Sequence, residues 1–138
     1  MTEKTKGVAV SAMLWRDGKF LLLKRNQQPL QWGPPAGEVL NDENPIDAVL
    51  RETMEEAGIK VKVLMPVAFW YGRHDGTQLI SISFLCEYVS GEVKLSDEHN
   101  DAKWLTTEEM VQEEMTHDIK DFVRAKVVKQ LFDAGKIE

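Results

Sequence analysis

Residues 37–59 read GEVLNDENPIDAVLRETMEEAGI, and this segment constrains the chain more than any other. Asn44-Pro45 predicts a helix start: Asn is a good N-cap, and Pro at the first helical position loses only an N–H that has no helical partner. Gly58 predicts the stop, because glycine readily adopts the left-handed conformation that ends a helix. Between them Ile46, Val49 (or Leu50), Thr53 and Ala57 recur at helical spacing and are expected to form the buried stripe. Glu52, Glu55 and Glu56 are related as i, i+3 and i+4, so their carboxylates crowd one face about 5–6 Å apart at Cβ. Like charges at that spacing repel by a few tenths of a kcal/mol per pair. Arg51 is the only basic residue within the helix and cannot neutralise all three.

An acidic helix face is ordinarily just a solvated surface. The functional alternative is a hard-cation site. Mg²⁺ takes carboxylate oxygens together with water and substrate phosphates.

The same positions resemble the Nudix box, the signature of hydrolases that cleave a nucleoside diphosphate linked to another moiety. Its pattern is Gly, five residues, Glu, seven residues, Arg-Glu, an aliphatic, any residue, Glu-Glu, any residue, Gly, an aliphatic. Gly37, Glu43, Arg51, Glu52, Glu55, Glu56, Gly58 and Ile59 fill it. Thr53 departs from it, a hydroxyl residue standing where an aliphatic is usual; the position should face the core and carry no chemistry.

The remaining composition bounds the answer. A chain of 138 residues is expected to form one domain over 1–138 with a proper core. No run approaches the roughly 20 apolar residues of a membrane span, and the polar start MTEKTKG lacks an apolar signal region. A cytoplasmic protein is expected. Cys86, the sole cysteine, lies in an apolar strand pattern and reads as a small core residue. The net charge of −6 argues against a nucleic-acid partner, whose phosphates require a basic surface. It also sets a problem for an enzyme of anionic phosphates, which bound cations resolve by inverting the local field.

Residues 7–15 and 19–25 are apolar strand-like runs around Asp17-Gly18, a strong hairpin signal. Residues 32–37 (WGPPAG) read as a rigid loop leading into the box. Strand material follows over 59–71, with Asp75-Gly76 turning into 77–89 and Ser90-Gly91 turning into a polar loop before Trp104-Leu105. Thr106 or Thr107 should cap a short helix. A last helix over 118–134 is expected to bury Ile119, Phe122, Val123, Val127 and Leu131 and to stop at Gly135. Strands with one central and one C-terminal helix predict an α/β fold, a mixed sheet covered on both faces. That agrees with the α/β/α sandwich, its box on a loop-helix-loop, that the resemblance implies.

The resemblance further implies a metal-dependent pyrophosphohydrolase that substitutes water at phosphorus in a small nucleotide: a nucleoside triphosphate, ADP-ribose or a nucleotide sugar. Such a protein acts as a monomer or homodimer; the alternative is a nucleotide-sensing domain of the same shape without hydrolytic activity. Mg²⁺, with Mn²⁺ as substitute, would be held by Glu52, Glu56 and Glu55 with the Gly37 carbonyl. Arg51 would orient a box glutamate by a bidentate ion pair, and Glu43 would be such a partner. Glu98, in the acidic loop before Trp104, is the candidate general base or extra ligand, alongside the box glutamates Glu52 and Glu55. His99 beside it reads as a loop residue. Arg25, ending the second strand, would face phosphate, and Trp70 or Tyr71 (or Trp32) could stack on a base.

Overall fold

The computed structural model describes residues 4–74 and 76–137. Strand β1 (Lys4–Arg16) turns through Asp17 and Gly18, both at positive φ (52° and 84°), into β2 (Lys19–Arg25). Trp15 faces Phe20 and Arg16 faces Lys19, the tight hairpin that Asp-Gly predicts. Residues 32–37 are not wholly a loop: β3 (Trp32–Gly33) pairs with β2, and β4 (Ala36–Leu40) pairs with β1. Pro34 and Pro35 interrupt the pairing between them, and their loop signal masked the short strands on either side.

Helix α1 (Pro45–Ala57) starts and ends where the sequence places it. The Asn44 side chain accepts from the Asp47 N–H at 2.9 Å, and Gly58 adopts φ 71°, its N–H donating to the Met54 carbonyl. β5 (Lys60–His74) and β6 (Thr77–Ser90) form a long antiparallel hairpin, with His74 opposite Thr77; Asp75, read as part of this turn, lies outside the described residues. β7 (His99–Leu105) returns to pair with β2. Thr106 caps the short α2 (Thr107–Met110) in a reciprocal capping box with Glu109, and α3 (Ile119–Asp133) closes the chain. The seven-stranded sheet runs β3-β2-β1-β6-β5, with β4 attached to β1 and β7 to β2. Because β1 and β6 are parallel while the other pairs are antiparallel, the sheet is mixed.

Period-2 alternation divides the apolar side chains between two cores. Val10, Ala12, Leu14, Leu21 and Leu23 pack with Ala48, Val49 and Ala57 of α1. Met13, Phe20 and Leu22 point the other way, toward Met110, Phe122 and Ala125. A strand such as β2 therefore reads as a continuous apolar run because both its faces are covered. Cys86 is fully buried, as its pattern predicts. Among the described residues no helix is long and apolar enough to cross a membrane.

Two helix faces differ from the sequence reading. On α1 the buried set is Ala48, Val49, Thr53, Glu56 and Ala57, whereas Ile46 is half exposed. Thr53 does face the core, its hydroxyl donating to the Val49 carbonyl at 2.7 Å. On α3 the sheet receives Phe122, Ala125 and Lys129, and Val123, Val127 and Leu131 stay exposed. Two rows branch from the start of that helix, one of them carrying small Ala125, which permits close approach to the sheet. Hydrophobicity alone favoured the bulkier row, and close packing selected the other.

The N-cap gives a clean test of how α1 is held. Asn44→Ala should lower unfolding free energy by about 1 kcal/mol, and Asn44→Asp should retain most of it. Denaturant titration of the three proteins checks this; an unchanged Ala variant would mean that tertiary packing alone fixes the helix start.

Candidate active site

The acidic face of α1 lies against β4. The Ala36 N–H donates to Glu56 Oε1 at 2.8 Å. At Gly37 a Cβ would fall 2.2 Å from the Glu52 carboxyl carbon, so only glycine lets that carboxylate lie on the strand backbone.

Arg51 ties this arrangement together. Its guanidinium grips Glu43 in two places, Nε to Oε2 at 2.8 Å and Nη2 to Oε1 at 3.0 Å. It also donates to Glu52 at 2.7 Å, to Glu55 at 3.3 Å and to the Glu38 carbonyl at 3.1 Å. Glu43 additionally accepts the Leu40 N–H, closing the loop onto the helix. The Arg51 guanidinium holds the Glu43 carboxyl below its ordinary value, and Glu43 in turn raises Arg51. Glu52 is shifted upward, because burial outweighs the neighbouring Arg51.

Glu56 has no such cationic partner in the described contacts. It is only 6% exposed. Burial, opposed by the Ala36 N–H and reinforced by Glu52 and Glu98, pushes its carboxyl up to about 8. Glu98 reaches Glu56 because residues 91–98 run along the end of α1: the Lys94 N–H donates to Ala57 O at 2.8 Å and the Ser96 N–H to Glu56 O at 3.4 Å. Asn26 fastens the other side of that loop, its backbone N–H donating to Glu98 O at 3.2 Å and its side chain to Asp97 O. Ligand atoms of Glu56, Glu98 and His99 all fall within 4.8 Å of one another. A buried carboxylate among acidic neighbours fits a hard divalent cation.

These groups open into a cleft of about 680 Å³, whose lining includes Arg25, Asn26 and Gln27 as well as Gly33, Thr116 and His117. Thr116 and His117 belong to the connector between α2 and α3, stapled to β3 by Trp32 N–H to Glu114 O and Thr116 N–H to Trp32 O, each 2.8 Å. A Cβ on Gly33 would strike the Thr116 hydroxyl at 2.2 Å. Burial keeps the His117 imidazole below its ordinary value, and its Nδ1 lies 2.8 Å from the Thr116 hydroxyl.

Of the residues singled out from sequence, Arg25, Glu56 and Glu98 line the cleft, while Gly37, Glu43, Arg51 and Glu52 contact one another behind Glu56 on α1 and β4 and do not line it. Glu55 is exposed and drawn toward Arg51. Trp70 and Tyr71 do not line the cleft: they sit half or more exposed on β5, at the sheet edge opposite β2 and β3. Three strand spacings separate β5 from β2, roughly 14 Å. Trp32 is a core residue, 5% exposed, with the Lys103 ammonium 4.7 Å over its ring. His99, read as a loop residue, opens β7 instead, and Thr116 and His117 escaped the sequence reading, because strand register and a loop staple, not local spacing, bring them in.

The raised Glu56 value carries a consequence for the metal-free protein. A carboxyl held at about 8 when folded, against 4.5 ordinarily, binds its proton more tightly in the folded state. Its contribution to stability is therefore complete below the ordinary value and is lost as pH rises toward 8. In the presence of chelator, Glu56→Gln should melt higher than wild type above pH 8, with the gap closing toward pH 5. Melting curves across that range check it. A variant that melts lower at every pH would make Glu56 a structural residue.

Residues 5–126 match the family model of the NUDIX domain. An ADP-ribose pyrophosphatase of Methanocaldococcus jannaschii is 34% identical over 125 residues, covering 86% of this chain and 74% of that protein. The asymmetrical bis(5'-nucleosyl)-tetraphosphatase of Mus musculus is 32% identical over 101 residues, 68% of each chain. The crystal structure of a MutT protein from Methanosarcina mazei superimposes with a TM-score of 0.77 at 30% identity, covering 93% of this chain and 98% of that one. With the motif, the sheet order and the domain match in agreement, this chain belongs to the Nudix family of pyrophosphate-cleaving hydrolases.

Proposed function

We propose that this protein hydrolyses the diphosphate linkage of a small, free nucleoside diphosphate derivative in the cytoplasm, with Mg²⁺ or Mn²⁺ bound at the acidic face of α1. The observation that carries the reading is Glu56, a buried carboxylate beside Glu52 and Glu98 at the floor of a polar cleft. Divalent cation held there would neutralise phosphate charge and lower the pKa of a bound water.

Each nearby side chain then has a defined task. Glu52 and Glu56, with the Gly37 carbonyl, provide oxygen ligands from a helix and a strand that are both rigid. Arg51 does not touch substrate; saturated by Glu43, Glu52 and the Glu38 carbonyl, it fixes where the Glu52 oxygens point. Glu98 has two carboxylate oxygens, one to face a cation and one to accept the proton of attacking water. Arg25 enters the cleft from the end of β2 and can pair with a phosphate oxygen as negative charge spreads over the phosphoryl group.

Base selection moves from β5 to the cleft's own walls. Thr116 and His117 present a hydroxyl and a neutral imidazole to the same cleft as Asn26 and Gln27, a set that can hydrogen-bond a base or ribose edge. The relatives named above act on ADP-ribose and on bis(5'-nucleosyl) tetraphosphate, which share a nucleoside diphosphate and differ in the group attached. Substrates of this chain should share that core as well.

Phosphate and pyrophosphate release should be measured with Mg²⁺ on nucleoside triphosphates, ADP-ribose, dinucleoside polyphosphates and nucleotide sugars. At least one should turn over, and Glu98→Gln should slow the best of them by roughly ten- to a thousandfold, the range of lost proton-transfer help. Failure on the whole panel would contradict the hydrolytic assignment of substrate class. An unchanged Glu98→Gln rate would return the base to the box glutamates.

A further inference from the structure

His99 opens β7 opposite Arg25, at a register irregularity between Lys24 and Arg25. Irregularities of this kind twist a strand locally and re-aim the side chains beside them. The backbone on either side is pinned: His99 N–H donates to Ser96 O at 3.4 Å, and Asn26 holds the carbonyls of Asp97 and Glu98. One imidazole nitrogen is thereby held within 4.8 Å of carboxylate oxygens of both Glu56 and Glu98.

The ring is also incompletely satisfied. Its Nδ1 is sealed from solvent and has no hydrogen-bond partner. An unpaired buried ring nitrogen is costly, and native structures rarely leave one without a reason. Two carboxylates of like charge and an imidazole at one point are brought into balance by a shared cation. Metal–ligand bonds of about 2.0–2.2 Å place neighbouring ligand atoms roughly 3–4 Å apart, so small side-chain rotations suffice to close the group. The nature of the donors then selects the ion. An all-oxygen set suits Mg²⁺, whereas a nitrogen donor shifts preference along the series toward later divalent metals.

We infer that Glu56, Glu98 and His99 form a mixed oxygen–nitrogen site that takes a borderline transition-metal dication, Co²⁺ above the harder Mn²⁺, in preference to Mg²⁺. The inference rests on the proposed cation site at Glu56 and adds a ligand that the box motif does not contain.

Electron spin-echo spectroscopy of Mn²⁺ on chelator-stripped protein, prepared with ordinary and with ¹⁵N-labelled histidine, reads the nitrogen ligand directly. A histidine nitrogen coupling should appear, change on labelling, vanish in His99→Gln and persist in His117→Gln. Equilibrium titrations should show Mn²⁺ affinity reduced about tenfold or more in His99→Gln, as expected when a metal site loses a supporting group. Mg²⁺ affinity should fall by less than about threefold. Saturable Mn²⁺ binding by wild type with no histidine coupling would overturn this inference and leave the carboxylate site standing. Absence of saturable Mn²⁺ binding would overturn both. Should His99→Gln fail to fold, the labelled wild type and His117→Gln still decide, and His99→Asn offers a second replacement.

Discussion

Burying a carboxylate beside two others is unfavourable, and the site is arranged around that cost. Removing a charge from water without a partner raises its pKa or calls for a counter-ion. Glu56 shows the first response in the metal-free molecule, its carboxyl pushed up to about 8. Glu43 and Glu52 show the second through Arg51. One guanidinium has a limited number of N–H donors, and this one is committed to four partners; Glu56 is not among them. The unsatisfied charge lines a cleft, where a cation and an anionic substrate can complete it together. A chain of net charge −6 can in this way attract phosphate.

Rigid elements hold the cluster in place against its own repulsion. The capped helix α1, the glycine at position 37 and the loop fastened to Ala57 and Asn26 each restrict where one carboxylate can go. Stability of the helix comes from packing on the first core, so a few tenths of a kcal/mol of repulsion between glutamates is tolerated. The structure keeps locally unfavourable charges where chemistry uses them, and the two cores absorb the cost.

Local signals were legible in the sequence. Asn44, Pro45 and Gly58 bounded α1 because capping is decided within a few residues, and Asp17-Gly18 turned the first hairpin for the same reason. The box register gave Glu52, Glu56, Arg51 and Gly37 their places for the same reason: one helix and its adjoining strand fix them. What depends on distant pairing was not legible. His99 reaches Glu56 only through the β2–β7 register, and His117 reaches the cleft only because its connector is stapled to β3. Trp70 and Tyr71 looked suited to stacking, yet strand order places them at the far edge of the sheet. Ile46 and the Val123–Val127–Leu131 row show that apolar periodicity names candidate faces, and close packing chooses among them.

The central claim is that the acidic floor is a divalent-cation site, and thermal stability under Mg²⁺ titration at constant ionic strength tests it most directly. A cation that binds only the folded protein stabilises it by RT ln(1 + [L]/Kd), about 2.7 kcal/mol at a hundredfold excess over Kd. The melting temperature should therefore rise along a saturable curve with Mg²⁺ and stay nearly flat when K⁺ supplies the same ionic strength. A K⁺ series that reproduces the whole shift would contradict the claim, since screening of an acidic surface would then account for everything Mg²⁺ does.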